Sequence, residues 1–515
     1  MGIAMRGVLW PMLLWAASWP VLACDAGTVG VDADGDGRPD RGAAGVRVSD
    51  GRQLAITDSS GQWRLPAPAQ GPVFVIKPPT HALPLRGDGL PDFWRTTADQ
   101  AGCDFLLLPA SDSPEDALEV LVFADPQAAT RKQVGYYLDD IVRPLQDRHH
   151  ATLGVTLGDV ANDDLSLYPQ LNQATALLDV PWLHVAGNHD LDLEATRDEA
   201  SLSTFRGVYG PDTFAWEESR ATFVGLDDVI YRPGERPAYV GGLREAQFAF
   251  LEAYLPTVAR DRLLVLMLHI PLFDTSANAE TFRRADRERL FALLRDFPHV
   301  LVLSGHQHRL QQYFHDADTG WQGAAPLHEF NVGAASGAFW SGAADAAGIP
   351  DATMADGTPN GHATLRVFDD GAYALDWHPA RLPEDNRART ASMHLHAPRA
   401  LRRGAYPAWG VYANVYMGHD DTRVEFRVDG REWRPMRKVM APDPWLNLEN
   451  ARDDLAESLR GFDRSPEAVP STHLWRGALP TALETDEHVV EVRVFDRRYG
   501  ERRASTVYRL LDATE

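Results

Sequence analysis

The sequence contains few basic residues and few long hydrophobic runs. Of its 515 residues, 50 are Lys or Arg and 73 are Asp or Glu, which gives a formal net charge of -23 at pH 7. This acidity argues against nucleic acid as the main partner, because phosphate backbones attract basic surfaces. After residue 23, no hydrophobic run reaches the roughly 20 residues that a transmembrane helix requires. We therefore expect no membrane-spanning segment in the rest of the chain.

The first 23 residues have the pattern of a secretory signal peptide. Arg6 supplies a positive charge, Val8 to Ala23 is almost wholly apolar, and the run ends in Val21-Leu22-Ala23. Small residues at the end of such a run are typical of a signal-peptidase cleavage site. We therefore predict export to the periplasm or the extracellular space.

Cysteine is nearly absent, since the chain has only Cys24 and Cys103. Cys24 would be the first residue of the mature protein, which leaves two interpretations. Val21 to Cys24 resembles a bacterial lipobox, in which case Cys24 would carry a lipid and anchor the protein to the envelope membrane. Alternatively, the two cysteines form a disulfide in an oxidising compartment. We favour the disulfide, because lipidation would leave Cys103 as a single unpaired thiol.

A chain of this length is expected to form two to four domains. Residues 24–112 contain short alternating segments separated by turn signals, such as Val73 to Ile76, and are predicted to form a β-sandwich-like domain. Residues 346–515 show a similar pattern, as in Val489 to Phe495, and are predicted to form a second β-rich domain. Between them, residues 113–345 alternate apolar strands with helical stretches, which is an α/β pattern.

An acidic turn in the N-terminal domain is a candidate calcium site. Its carboxylates follow the first part of a calcium-loop pattern, at Asp32, Asp34, Asp36 and Asp40. Ala43 stands at the twelfth position, where such a loop needs a bidentate acid. A solvated acidic turn is therefore the alternative.

Five polar clusters in the central region each follow an apolar run that is predicted to be a buried strand. In chain order they are Asp125-Pro126-Gln127, Gly158-Asp159, Gly187-Asn188-His189-Asp190, His269 and Gly305-His306-Gln307-His308. Open α/β sheets bind ligands at the carboxyl ends of their strands, so the clusters are expected to converge on one point. Carboxylate and imidazole ligands together suit Mn, Fe or Zn. Two such ions, about 3.5–4 Å apart, can bind both oxygens of an in-line displacement.

The five clusters resemble those of the calcineurin-like metallophosphoesterase family, over about residues 118–332. The flanking β-segments resemble the multidomain members of that family. This resemblance implies a double-sheet α/β sandwich core between N-terminal and C-terminal β-sandwich-like domains. It also implies two divalent metal ions, the first bound by Asp125, Asp159 and His308, and the second by Asp159, Asn188, His269 and His306.

The resemblance also assigns the chemical roles. A metal-bridging hydroxide would attack phosphorus, and His189, oriented by Asp190, would protonate the leaving alkoxide. The family usually has a histidine where this chain has Gln127. Because an amide oxygen is a harder and weaker ligand than imidazole, we expect looser binding at the first site and a bias toward Mn or Mg over Zn. Mn is the predicted ion, with Fe, Zn and Mg as alternatives.

Three further residues are predicted to contact the substrate. Asn162 is expected to touch a phosphate oxygen. Trp340 and Asn360 lie in loop segments after the metal histidines and are expected to rim the site. A packed aromatic residue and an ordinary surface turn are the alternatives for these two.

The sequence thus predicts an exported dinuclear-metal phosphoesterase that acts on a small phosphate ester. The lack of an obvious arginine pair beside the clusters favours a diester over a monoester slightly. The alternative is a catalytically weak cell-surface binding module with a degenerate metal site. Gln127 would then be the sign that the metal site has degenerated. The intact Asn188-His189-Asp190 segment argues against that alternative.

Overall fold

A computed structural model describes residues 24–96, 102–110, 116–276, 279–383, 386–406, 409–496 and 500–512. The predicted signal peptide lies outside the described residues. None of the described helices is long and apolar enough to cross a membrane.

The N-terminal region forms two small sheets. Its strands are β1 (Ala26–Val31), β2 (Arg41–Gly42), β3 (Arg47–Ser49), β4 (Leu54–Ile56), β5 (Gln62–Arg64), β6 (Val73–Val75), β7 (His81–Ala82), β8 (Trp94–Arg95) and β9 (Phe105–Pro109). One sheet has the order β2-β1-β9-β7, with β5 also paired to β1, and the other has the order β4-β3-β6-β8. Cys24 and Cys103 are joined by a disulfide with Cα atoms 5.6 Å apart, which ties the start of β1 to the segment before β9.

The central region contains two larger sheets with helices between the strands. The strands are β10 (Leu118–Phe123), β11 (Leu153–Leu157), β12 (Trp182–Val185), β13 (Thr213–Glu217), β14 (Ala221–Leu226), β15 (Val229–Tyr231), β16 (Tyr239–Gly241), β17 (Leu263–Met267), β18 (Val300–Ser304), β19 (Gln311–His315), β20 (Leu327–Asn331), β21 (Gly361–Val367) and β22 (Tyr373–Pro379). The helices are α1 (Arg131–Tyr137), α2 (Tyr168–Thr175), α3 (Ser203–Tyr209), α4 (Glu245–Tyr254) and α5 (Arg284–Leu294).

The first central sheet has the order β12-β11-β10-β21-β22, and the second has the order β13-β14-β17-β18-β20-β19. Within them, β10, β11 and β12 are mutually parallel, and so are β14, β17, β18 and β20. Every residue of β11 and β17 is buried. This burial explains their continuous apolar sequences, because parallel strands are covered on both faces.

The first central sheet continues beyond residue 345, where the sequence analysis places the end of the catalytic domain. β21 pairs antiparallel with β10, and β22 pairs with β21. Residues 361–379 therefore complete the sheet that carries Asp125. A pattern of alternating apolar residues cannot distinguish an added antiparallel strand of one domain from the first strand of the next.

The C-terminal region forms two more sheets around a core of its own. Its elements are β23 (Met393–His396), β24 (Ala400–Arg402), β25 (Gly410–Val415), β26 (Val424–Val428), β27 (Arg434–Pro435), β28 (Arg437–Pro442), α6 (Pro444–Leu455), β29 (Pro470–Ala478), β30 (Glu487–Asp496) and β31 (Gly500–Leu511). The sheet orders are β23-β25-β29-β28 and β24-β31-β30-β26-β27. α6 begins where Asp443 accepts hydrogen bonds from the backbone of Trp445 and Leu446, which is a strong N-cap arrangement.

Candidate metal centre

The loops that follow five strands of the two central sheets converge at one place. Asp125 follows β10, Asp159 follows β11 and His269 follows β17. Asp159, His269 and His306 each offer a ligand atom, and these atoms lie within 4.8 Å of one another. The carboxyl ends of the parallel strands therefore bring together side chains that are far apart in sequence.

His269 is held in a fixed orientation at the centre of this cluster. Its Nδ1 donates a hydrogen bond to the carbonyl oxygen of Leu157 over 2.8 Å. Its Nε2 lies 3.0 Å from Oδ1 of Asn188 and 3.4 Å from Oδ1 of Asp159. A ligand histidine that donates its second nitrogen to a backbone carbonyl presents the other one to a metal.

Asp125, Gln127 and His308 form the other half of the cluster. Nε2 of His308 lies 3.6 Å from Oδ1 of Asp125, while its Nδ1 donates to the carbonyl of Gly337. Nε2 of Gln127 donates to Oδ2 of Asp159 over 3.2 Å. The amide oxygen of Gln127 is thereby left free to act as a ligand.

Burial and the neighbouring charges shift the pKa values of the clustered side chains in different directions. Burial raises the pKa of Asp125 well above its ordinary value. Burial opposes the charge on His269, but the carboxylates of Asp159 and Asp125 raise the pKa of His269 to about 10. Burial lowers the pKa of His306 to about 3 and that of His308 to about 4. Both of these imidazoles are therefore neutral at pH 7, which is the state that binds metal.

Two observations test whether the residues fit a pair of metal ions. The Oε1 atom of Gln127 and the Nδ1 atom of His306 are buried and have no hydrogen-bond partner within the described part of the chain, and such atoms call for an unseen partner. A Cβ atom on Gly187 would lie 2.2 Å from Oδ1 of Asp159, so only glycine allows this close approach. Carboxylate, amide and imidazole donors suit borderline divalent ions. The residues fit two metal ions.

Backbone strain is concentrated in the same residues. The φ angles are positive at Asp125 (49°), Gln127 (43°), Asp159 (50°), His306 (72°) and His308 (47°). Non-glycine residues rarely adopt this conformation, and it persists where the surrounding structure fixes it, often at functional sites.

His189 is oriented by Asp163 and not by Asp190. Its Nδ1 lies 2.9 Å from Oδ1 of Asp163, and its backbone N–H donates to Oδ1 of Asp159 over 2.8 Å. The resemblance to the family predicts that Asp190 orients His189, and the structure corrects that prediction. Adjacent residues on a turn point in different directions, so sequence proximity was a poor guide.

Asp190 instead holds together the two loops that carry Asp159 and Asn188. Its carboxylate is fully buried and accepts hydrogen bonds from the backbone N–H of Gly187 (2.9 Å) and Val160 (3.1 Å) and from the hydroxyl of Tyr168 (2.9 Å). Burial raises the pKa of Asp190 to about 6. Its role is to position the ligands.

Two of the three predicted substrate contacts are also corrected. Trp340 is fully buried, and its indole N–H donates to the carbonyl of Pro126 over 2.9 Å. Asn360 is buried and donates to Oδ2 of Asp140 over 2.9 Å. Both therefore brace the loops behind the metal ligands and have no surface for a substrate. Asn162 is half-buried, and its contact with substrate stays a prediction.

The acidic turn in the N-terminal domain brings three of its four predicted calcium ligands together. Asp32, Asp34 and Asp40 each offer an oxygen, and these atoms lie within 4.8 Å of one another, whereas Asp36 is outside this group. The two oxygens of Asp32 accept hydrogen bonds from the backbone N–H groups of Gly35 and Gly37. The calcium site stays a prediction.

Other buried residues that support the centre were not recognised from the sequence. Asp228 accepts hydrogen bonds from the backbone N–H of His269 (3.1 Å) and of Ile270 (3.0 Å). Asn331 donates to the carbonyl of Gly305. Asp228 comes shortly after the apolar run of β14, so the pattern that revealed the ligands could have revealed it. Asn331 is the last residue of β20, whose sequence Leu-His-Glu-Phe-Asn is not an apolar run, so that pattern could not have revealed it.

Together, the two mixed sheets and the paired ligand sets define a metal-dependent hydrolase of phosphate esters. Residues 118–310 match the family model of the calcineurin-like phosphoesterases, and residues 329–502 match the model of the C-terminal region of calcineurin-like phosphoesterase. The chain therefore belongs to the calcineurin-like phosphoesterases, and its dinuclear metal site is the one that the family implies.

Solved structures with similarity to this chain include two phosphatases. A dimetal phosphatase from Danio rerio is 16% identical over 52% of this chain and 98% of its own, with a TM-score of 0.35. A purple acid phosphatase from yellow lupin (Lupinus luteus) seeds is 14% identical over 65% of this chain and 72% of its own, with a TM-score of 0.39. A search of curated proteins found no match.

Proposed function

We propose that this protein is an exported phosphoesterase that hydrolyses small phosphate mono- or diesters at a dinuclear metal centre, with His189 as the general acid. The observation that carries the proposal is the arrangement around Asp159. Its carboxylate lies 3.4 Å from Nε2 of His269, accepts from Nε2 of Gln127 and accepts from the backbone of His189. One carboxylate thus links both ligand sets to the acid.

The bound metal ions would supply charge neutralisation at phosphorus and a water of lowered pKa. Metal binding and proton donation are the roles of the chain's own side chains. Asp159 and Asp125 would hold the cations, and the neutral imidazoles of His306 and His308 would complete the two ligand sets. His189 is partly exposed, so it can reach a bound ester and give its Nε2 proton to the leaving oxygen. Asp163 holds the opposite nitrogen and fixes the ring.

The test is hydrolysis of bis-p-nitrophenyl phosphate and p-nitrophenyl phosphate by the protein from Cys24 onward. The protein is stripped of metal, reloaded with Mn, and compared with His189→Ala. We expect turnover of both esters to require metal. His189→Ala should lower turnover of an ester with an alkyl leaving group at least about a hundredfold, because general acids contribute that much. The p-nitrophenyl esters should lose much less, since their leaving group is stable as an anion. Tight binding of metal without turnover of either ester would indicate an enzyme with a narrow substrate range. Absence of both metal and turnover would favour the binding-module alternative.

Export needs a separate test. We expect the full-length chain, expressed with its own N-terminus, to appear in the periplasm or the medium with Cys24 as its first residue. Labelling with a radioactive fatty acid distinguishes the lipid-anchored alternative. Incorporation of label into the wild type and not into Cys24→Ser would contradict the disulfide interpretation.

A further inference from the structure

Phe339 is an exposed aromatic residue in a strained conformation beside the metal centre. Its side chain is 52% exposed. Its φ angle is 56°, and the next residue, Trp340, has a φ angle of 54°. Two consecutive bulky residues in the left-handed region are unusual. Strain of this kind is retained where the surrounding structure over-determines it, and it is concentrated at active sites and ligand clamps.

The loop that carries Phe339 is fastened to the first ligand cluster. The backbone N–H of Ser336 donates to the carbonyl of Asp125 over 3.1 Å. The carbonyl of Gly337 accepts from Nδ1 of His308, and the Trp340 indole donates to Pro126. Phe339 is therefore fixed relative to the ligands and is not a loosely placed surface residue.

The ring of Phe339 lies against a metal ligand. It stacks on the imidazole of His308 with ring centroids 4.6 Å apart and an interplanar angle of 28°. One face of the phenyl ring is thus occupied, and its exposure leaves the rest of the ring open to solvent. An exposed aromatic face next to a reaction centre is a surface on which a planar group can stack.

The position of His189 indicates which part of a substrate reaches this ring. His189 contacts Asp159 and Asp163, whereas Phe339 contacts His308, whose Nε2 faces Asp125. The leaving oxygen has to meet His189. Phe339 stacks on His308 and not on His189, which favours the group that stays bonded to phosphorus as the one that meets the ring.

We propose that Phe339 is a specificity-determining residue that stacks on a planar group carried by the retained ester oxygen. The inference rests on the proposed function and names its substrate class, which is phosphodiesters with an aromatic or heteroaromatic substituent. Water adds its oxygen to phosphorus, and the bond between phosphorus and the leaving oxygen breaks. The leaving oxygen takes a proton from His189. One proton of the water stays on the new phosphate oxygen, and the other restores the acid. The products are an alcohol and a monoester that keeps the planar group.

The experiment compares methyl p-nitrophenyl phosphate with bis-p-nitrophenyl phosphate on the Mn-loaded protein. The two esters share a leaving group and differ in the retained group. We expect Phe339→Leu to lower kcat/KM for the bis-aryl ester by about fivefold to tenfold, the usual effect of losing one stacking contact. Hydrolysis of the methyl ester should change by less than about twofold, provided that the stacking contact is all that the Phe339→Leu variant has lost. Phe339→Tyr, which keeps the ring, should retain the preference.

Phe314 offers a matched control. It is also an exposed phenylalanine (44%) stacked on a histidine, with 4.6 Å between the ring centroids of Phe314 and His328, but His328 is not a candidate ligand. Phe314→Leu should leave the preference unchanged. An equal loss on both esters in Phe339→Leu would overturn the proposal. If bound metal also falls in that variant, Phe339 only shields His308.

Direct binding keeps this test separate from the proposed function. Calorimetric titration of the metal-loaded protein with phenylphosphonate and methylphosphonate should show tighter binding of the phenyl compound, and Phe339→Leu should abolish that difference. If the wild type hydrolyses neither ester, the proposed function fails while the binding preference still decides the role of Phe339. Equal binding of the two phosphonates by the wild type would overturn the stacking proposal.

Discussion

Nδ1 of His189 lies 2.9 Å from Oδ1 of Asp163, although 26 residues separate the two in sequence. The bond fixes the imidazole ring and leaves Nε2 as the nitrogen that can pass a proton to a substrate. Asp163 itself has a positive φ angle of 64°. The loop after β11 therefore supplies both a metal ligand, Asp159, and the residue that orients the acid.

Replacing Asp163 should impair proton donation without unfolding the protein. We expect Asp163→Asn to lower kcat by about tenfold or more for an ester with an alkyl leaving group, because such a group needs its proton in the transition state. The loss should be much smaller for p-nitrophenyl esters, whose leaving group is stable as an anion. Steady-state kinetics on both ester types measure the difference. An equal loss on both would contradict a role for Asp163 in proton transfer.

Asp190→Asn should behave differently, because Asp190 holds backbone and not His189. An amide cannot accept from all the N–H and O–H groups that meet this carboxylate. We expect the free energy of unfolding to fall by about 1–3 kcal/mol, the usual cost of leaving buried polar groups unsatisfied. Denaturant unfolding measures this loss. A variant of normal stability that fails only with alkyl leaving groups would restore Asp190 as the orienting residue.

Gln127 should set the affinity of the first metal site. Its free Oε1 is a weaker ligand than an imidazole nitrogen for borderline ions. We expect Gln127→His to tighten zinc binding by on the order of tenfold, since nitrogen donors favour zinc over manganese. Competition with a chelator, followed by metal analysis, measures the affinity. Gln127→Leu, which removes the ligand at similar volume, should weaken binding, and unchanged binding in both variants would show that Gln127 does not coordinate.

The candidate site was largely predictable because its ligands follow a local pattern. An apolar run that ends in Asp, Asn or His marks the end of a buried strand, and the parallel strands of one sheet end at the same edge. Asp159, His269 and His306 meet for this reason. The same pattern could not give the orientation of His189, because the turn after β12 decides which side chain faces inward.

Packing between distant segments was not predictable. Trp340 and Asn360 carry polar groups in Gly- and Pro-rich sequence, which usually indicates an exposed loop. In the structure their partners are Pro126 and Asp140, more than 200 residues away. Nor was it predictable that β21 would pair with β10 and β22 with β21, because a strand pattern alone does not identify the partner strand.

The N-terminal sheets should be required for the stability of the catalytic region. Phe93 is buried and contacts Phe214 and Trp216, with ring centroids 5.9 Å and 6.2 Å away. We expect Phe93→Ala to lower the free energy of unfolding by about 3–5 kcal/mol, as for other buried phenylalanines. Loss of tryptophan fluorescence in denaturant measures this change, and Ile56→Ala, at an exposed position, should have little effect. Phe93, Phe214 and Trp216 belong to one hydrophobic core that the N-terminal and central regions share. If Phe93→Ala unfolded only the N-terminal sheets and left the activity unchanged, the result would contradict this shared core.

Acid should destabilise the protein through histidines that are buried in the neutral state. Burial lowers the pKa of His394 and of His184 from the ordinary value of 6.5 to about 3. Between these values the unfolded chain binds a proton that the folded chain does not. Stability is therefore full above pH 6.5 and falls as the pH decreases toward 3, by up to about 1.4 kcal/mol per pH unit for each histidine.

Urea unfolding at pH values from 7.5 to 5 measures the slope. His394→Gln removes one such group, so its slope should be smaller by about one proton between pH 6.5 and 5. An unchanged slope would mean that His394 is protonated in the folded protein.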